Sequence, residues 1–359
     1  MNRKCLYQSR KMYTFGTKIK KIIDYEVINN NDEKYLTFDT VKIKCDYMCL
    51  LNKKIKFNKV YNRKTGELCS EYYNSKDDSL IPYNLLIAVS YTHKTLTLGF
   101  SSKVLLQDYP KLISKHTIYQ CLENITKLGI CELNIDSILN TGCFTQLDVT
   151  TDKNLMLTKS VLDVLNTSVK NYKRYNWTHY ENEGITIRKD VKSADCKECI
   201  TLYNKQKELL NKTRNGFFLK LVPDSNDIYK YFKNKTRFEI TLISQNKIKE
   251  YLNISDTKIT TVLNSVSNPI LYQFERIFGN SKQNKPDYKL SNYDELCMSL
   301  IIESCDNDMK LVDQKIRNMF SRTGYLKRKK KLDVVYERMK INGDSSNSVI
   351  EQIINLLSE

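Results

Sequence analysis

The chain has 359 residues, 41% of them hydrophobic and including 24 Tyr and 12 Phe. That is material for a large core, and it excludes both a small stapled scaffold and a disordered polyampholyte. Lys and Arg number 58 against 41 Asp and Glu, a formal charge of +17, which fits a polyanionic partner such as nucleic acid or an anionic surface. An AT-rich genome favours the same Lys, Asn, Tyr and Ile excess, so function has to be read from position.

The N-terminus, MNRKCLYQSRKMYTFGTKIKKII, scatters six Lys and Arg through its first twenty residues without an apolar core, unlike a secretory signal. No run reaches the roughly 18 apolar residues of a membrane span, so a soluble, intracellular protein is expected. Eleven Cys, an odd number, read as reduced thiols. Cys45 with Cys49 and Cys196 with Cys199 have ligand-like spacing, but the two pairs lie far apart and argue weakly for zinc.

From Phe38 to about Ser102 the pattern is that of strands. Val41, Ile43 and Cys45 alternate with Lys42, Lys44 and Asp46, RKTGE reads as a hairpin turn, and LLIAVSY pairs with TLTLGFS around His93 and Lys94. Leu122, Ile125 and Leu128 have helical spacing with a Gly129 stop, and CFTQLDVTTD returns to period two. Lys159 to Lys173 reads as a helix, and ITIRKD and ECITLYNK as strands around the loop DVKSADCK. KQKELLNKTR then reads as a charged helix, TRFEITLI as a strand, and NKIKEYLN and TKITTVLNSV as helices.

The expected fold class is α+β, an antiparallel sheet with flanking helices, after an N-terminal extension (1–38) and over residues 39–260. A helical basic region (261–359) follows, with apolar stripes at Val312, Ile316, Met319 and Phe320, at Leu332, Val335, Tyr336 and Met339, and at Val349, Ile350, Ile353, Ile354 and Leu357. Residues 310–340 carry 11 basic and 3 acidic side chains, net +8. Lys327, Arg328, Lys329, Lys330 and Lys331 read either as a solvated face or as phosphate contacts.

Three strands each place reactive groups opposite an apolar row, because side chains alternate along a strand. Asp148 opposes Leu147 and Val149; Arg237 and Glu239 oppose Phe238, Ile240 and Leu242; Thr201, Tyr203 and Lys205 oppose Ile200 and Leu202. If those strands are neighbours, two carboxylates, a phenol and an ammonium converge. Phosphodiester cleavage through a protein nucleophile needs an activated hydroxyl, a cation for the non-bridging oxygens and groups that hold the phosphate. A phenol titrates near 10, so Tyr203 needs a metal ion and Lys205 beside it. Asp148 and Glu239 are hard oxygen ligands for Mg²⁺ or Mn²⁺, and Glu208 is a third candidate ligand or a helix-start acid.

At these residues the sequence resembles the phage and plasmid rolling-circle replication initiators of the gene II/X family. TFDTVKIK resembles its opening strand, LGFSSKVLLQD its "FSp.Kll.g" segment, FTQLDVTTD its "sRIDl" strand, and ECITLYNKQKELL with KTRFEITL its "l.vYnK..E" and "vRfE". Order and spacing match over roughly residues 39–260. The resemblance implies a nickase domain that cuts one strand at an origin: Tyr203 forms a 5′-phosphotyrosyl link, frees a 3′-hydroxyl, and later rejoins the strand. Lys205, Glu208, Arg237 and Glu239 match the family's positions, with Arg237 and the basic tail expected to contact DNA. A single-stranded or supercoiled origin, a host helicase and a polymerase are the implied partners, and the cytoplasm of a bacterial host the implied location.

The match departs in two places. The Arg expected before the hydrophobe and Asp is Gln146, and His93, His116 and His179 form no His-x-His triplet, so carboxylates must carry any metal. A non-catalytic origin- or operator-binding protein is the alternative; it leaves the aligned acids unexplained.

Overall fold

The computed structural model describes residues 35–77, 81–169, 175–180, 184–189, 199–278, 291–305 and 308–359. Residues 1–34 of the extension, Cys196 and the DVKSADCK loop lie outside them. The first half supplies β1 (Phe38–Asp46), β2 (Leu50–Lys53), β3 (Asn58–Tyr61), β4 (Leu68–Asn74), β5 (Leu85–Ser90) and β6 (Thr95–Ser101). A 3-10 segment, Ser102–Lys111, leads to α1 (Ile118–Lys127), β7 (Cys131–Leu133) and α2 (Ile135–Thr141). The second half runs through β8 (Cys143–Lys153), α3 (Lys159–Val169), β9 (Tyr175–Tyr180), β10 (Gly184–Lys189) and β11 (Cys199–Asn204). Next come α4 (Lys205–Leu210), α5 (Lys212–Leu221), α6 (Ser225–Tyr231) and β12 (Thr236–Ile243). Among the described residues six further helices follow: α7 (Gln245–Leu252), α8 (Ile259–Leu263), α9 (Pro269–Phe278), α10 (Tyr293–Glu303), α11 (Met309–Met319) and α12 (Arg322–Ser358).

The chain is thus α+β, as its patterning predicts. Ten strands form one antiparallel sheet in the order β3-β4-β5-β6-β1-β8-β12-β11-β10-β9, and β2 pairs separately with β7. The sequence has no internal repeat, yet the topology repeats. From each central strand, β1 or β8, the chain runs out to a sheet edge, β3 or β9, and steps back strand by strand to lie beside its starting strand. Antiparallel neighbours joined in sequence give this meander at each step.

Local chemistry explains the elements. The β3–β4 turn is closed by the Gly66 amide donating to the Asn62 carbonyl, with Gly66 at φ +71, a conformation glycine adopts without a Cβ penalty. Gly129, at φ +74, ends α1 as its position predicts. The single helix expected over KQKELLNKTR is broken at Asn211, whose extended backbone both closes α4 and opens α5.

The row Phe238, Ile240 and Leu242 on β12, with Ile200 and Leu202 on β11 and Leu147 and Val149 on β8, is buried in the main core, and α7, α8 and α9 pack against this part of the sheet. Residues 261–359 do not form one region: α9 and the last turns of α12, through Ile350, Ile353 and Leu357, join the main core. Between them α10, α11 and the first half of α12 build a second core around Ile302, Val312, Ile316, Leu332 and Val335. Met319 and Phe320, placed on an apolar stripe by their spacing, are exposed because α11 ends there. Every described cysteine is a free thiol. No helix among the described residues is long and apolar enough to cross a membrane.

Candidate active site

Strands β8, β12 and β11 are consecutive neighbours, so the three expected reactive faces share one side of the sheet. In register, Asp148 lies opposite Thr241, Thr150 opposite Glu239, and Glu239 opposite Thr201; Asp152, Arg237 and Tyr203 form the next row. The Tyr203 hydroxyl donates to Glu239 Oε1 at 2.9 Å and accepts from Lys205 Nζ at 3.3 Å. Lys205 is the first residue of α4 rather than the last of the strand, because Asn204 caps the helix by accepting from the Lys207 amide.

Electrostatics separate the acids. Burial, reinforced by Asp39 and Asp148 against the pull of Arg237 and Lys205, pushes Glu239 up to about 7. Burial pushes Asp148 up to about 6, with Asp39 adding to it and hydrogen bonds from Thr241 and Thr40 opposing it. One Asp148 oxygen, Oδ1, is buried with no hydrogen-bond partner. Burial, then the charge of Glu239, holds the Tyr203 phenol well above its ordinary value. Burial works against the Lys205 ammonium, but the Tyr109 and Tyr203 oxygens and Asp39 keep it charged.

Glu208, expected as a third metal ligand, is engaged elsewhere. Its carboxylate takes Lys205 at 2.9 Å and the Asn215 amide at 3.1 Å, and Asn215 in turn accepts from Lys103 at 2.7 Å. The acid beside Asp148 and Glu239 is Asp39, which sequence reading missed. Strict alternation puts Asp39 on the face of Val41 and Ile43; a register shift between Phe38 and Thr40, a bulge, turns it to the other side.

Arg237, expected to meet DNA, is instead fully buried, at 0% exposure. Its guanidinium forks onto Asp152 at 2.7 and 2.8 Å and reaches Asp39 at 2.8 Å and the Tyr109 hydroxyl at 3.1 Å, between the Tyr109 and Phe232 rings. A side chain so enclosed positions acids and cannot touch a phosphate. Tyr109 comes from the 3-10 segment, whose Leu106 (φ 54) and flanking Leu112 (φ 57) hold left-handed conformations unusual for leucine, local strain of the kind that surrounding structure must enforce. The basic tail does reach the surface: Lys327, Arg328, Lys330 and Lys331 are exposed on α12, while Lys329 leans on Asp313 at 3.4 Å.

Among the described residues no three His, Cys, Asp or Glu side chains are gathered closely enough to cage an ion as they stand. The fit to a divalent cation is one of charge and donor type. Lys103, Lys205, Lys235 and Arg237 face Asp39, Asp148, Asp152, Glu208 and Glu239, four cations against five carboxylates, and the orphaned Asp148 oxygen is an unused hard donor. Asp148, Glu239 and Asp39 are the residues that would hold Mg²⁺ or Mn²⁺.

Two predictions follow from this geometry. A Cβ on Gly184 would meet the Leu202 carbonyl at 2.3 Å and Tyr203 Cβ at 2.7 Å, so Gly184→Ala must push Tyr203 off its partners. It is expected to destabilise the fold by roughly 1–3 kcal/mol, as overpacking a filled site does, read by urea unfolding. Second, a carboxyl titrating at about 7 when folded and near 4.3 when unfolded holds an extra proton in the native state between those values, so its contribution to stability declines as pH rises from about 4.3 to about 7. Glu239→Gln is therefore expected to stabilise the ion-free protein by about 4 kcal/mol at pH 8 and negligibly at pH 4, measured by urea unfolding. Equal effects at both pH values would show that Glu239 is not held protonated.

No protein-family model and no curated protein sequence matches the chain.

Proposed function

We propose that the chain is a rolling-circle DNA replication initiator, a metal-dependent nicking-closing endonuclease that cuts one strand at an origin through Tyr203. The observation that carries this reading is the Tyr203 hydroxyl held between the Glu239 carboxylate at 2.9 Å and the Lys205 ammonium at 3.3 Å. Glu239, titrating near neutrality, can take the phenol's proton during attack, and Lys205 offsets part of the burial that disfavours the phenolate.

In the forward step the Tyr203 proton passes to Glu239, the phenolic oxygen bonds to phosphorus, and the P–O3′ bond breaks. The 3′ oxygen takes a proton from water and leaves as the 3′-hydroxyl, while the 5′ phosphate stays on Tyr203. Lys205 stabilises the phenolate first and the phosphate charge after transfer. Rejoining is the reverse: a 3′-hydroxyl gives its proton to hydroxide and attacks phosphorus, the tyrosyl–phosphorus bond breaks, and Glu239 returns its proton to the phenolic oxygen. A bound Mg²⁺ or Mn²⁺ supplies Lewis-acid polarisation of the non-bridging oxygens. The freed 3′ end primes a host polymerase, strand separation falls to a host helicase, and the exposed cations of α12 contribute phosphate contacts. The reading implies activity in the cytoplasm of a bacterial host.

The polarity of the link gives the test. With single-stranded or supercoiled origin DNA, label 3′ of the nick is expected to migrate with the protein under denaturing conditions, and label 5′ of it on a free fragment ending in a 3′-hydroxyl. Protein-linked 5′ label would assign the opposite chemistry.

A further inference from the structure

We propose that the cavity beside Asp152 receives one unstacked base of the single-stranded DNA, a few nucleotides from the scissile phosphate. The proposal deepens the nickase reading and rests on it. The cavity holds about 620 Å³ and is walled by the rings of Tyr35, His116 and Tyr231 and the carboxylates of Asp108, Asp152 and Asp227. That volume lies within the range of sites for small organic ligands.

The chemistry of the walls selects a base over a phosphate. Each lining carboxylate is paired with a cation, Asp108 with Lys111 at 2.9 Å, Asp227 with Lys230 and Asp152 with Arg237. Asp152 is 2% exposed and closes the floor, while the more open Asp108 and Asp227 retain lone pairs that accept from the exocyclic amines of cytosine, adenine or guanine. The rings provide stacking surface: Tyr35 is 44% exposed and Tyr231 37%, and Tyr35 meets His116 edge to face at 4.9 Å. Cations accompany these rings, with Lys115 at 5.9 Å from the Tyr35 centroid and Lys235 at 3.4 Å from that of Tyr231. Acids lining the cavity, with lysines at its aromatic walls, match a base whose sugar-phosphate chain passes outside.

Asp152 connects the cavity to the nucleophile. It lies opposite Arg237, which lies opposite Tyr203, so two strand spacings, about 10 Å, separate the strands bearing Asp152 and Tyr203. That is a span of about three nucleotides at a stacked rise of roughly 3.4 Å. Single strands, whose bases are free to unstack, can enter; an intact duplex cannot without base extrusion.

The test uses the full chain in EDTA with a mixed-sequence oligonucleotide of about 20 nucleotides, single-stranded or duplex, carrying 2-aminopurine. Tyr35→Leu and Tyr231→Leu are each expected to weaken single-strand binding about tenfold, leave duplex binding unchanged and remove base-specific quenching, whereas Tyr35→Phe and Tyr231→Phe retain the quenching. Single-strand affinity untouched by both Leu substitutions overturns the proposal. So does dAMP competing as strongly as the oligonucleotide, which would make the cavity a free-nucleotide site. The two readings fail separately: ring-independent binding with adduct formation intact removes the base site alone, and ring-dependent binding without any adduct removes the nicking chemistry alone.

Discussion

Tyr203→Phe is expected to abolish covalent capture of origin DNA, a loss on the order of 10⁴-fold or more, because the substituted ring has no atom that can bond to phosphorus. The substitution keeps the ring and removes only the hydroxyl that donates to Glu239 and accepts from Lys205. Its structural cost is therefore that of lost hydrogen bonds, about 1 kcal/mol. On the proposed reading, DNA affinity from lysines and arginines elsewhere should stay within about twofold of the parent. Undiminished adduct formation would remove Tyr203 from the mechanism. Lys205→Met is the companion experiment: the nucleophile remains, the cation is lost, and cleavage is expected to fall while a slow, more alkaline pH profile persists.

Period-two patterning carried much of this site into view. Asp148, Glu239 and Tyr203 each oppose an apolar pair, and the structure aligns their strands as immediate neighbours. What patterning could not supply is irregularity and depth. Asp39 was invisible because a bulge breaks alternation at the one residue that matters. Arg237 has the parity of a surface residue, and nothing local reveals that a 3-10 segment more than a hundred residues earlier in the chain closes over it through Tyr109. Asp152 was legible in principle, since it shares the parity of Asp148 on β8. Glu208 follows from its helix-start position, but the Asn215 and Lys103 contacts that occupy it depend on tertiary packing. The repeated strand order of the two halves escaped for the same reason: it resides in pairing, not in residue identity.

Arg237→Ala is expected to destabilise the fold by about 3–5 kcal/mol, because it leaves the buried Asp152 carboxylate, 2% exposed, without its forked guanidinium partner and opens a cavity beside it. Lysine is a poor substitute, since one ammonium cannot fork onto Asp152 while also reaching Asp39 and Tyr109 as the guanidinium does. Removing charge from both sides, as in Arg237→Met with Asp152→Asn, should recover much of the loss, because the penalty arises from a single unpaired buried ion. The pH dependence carries a sign. In the parent, burial opposes ionisation of Asp39, but Lys205 and then Arg237 hold its carboxyl below the ordinary value, so its stabilising contribution is full above about pH 4 and lost as acid titrates the lowered group. Without Arg237 part of that lowering disappears while Lys205 keeps the rest, so the difference between parent and Ala variant should hold from pH 7 to about pH 4 and narrow only below it, as followed by urea unfolding. An Ala variant within 1 kcal/mol of the parent at pH 7 would mean that the ion-pair network does not support the fold. Because Nη1 of Arg237 also anchors Asp39 beside Glu239, the double variant is expected to fold and yet nick slowly, which separates the stability role of this arginine from its role in placing the acids around Tyr203.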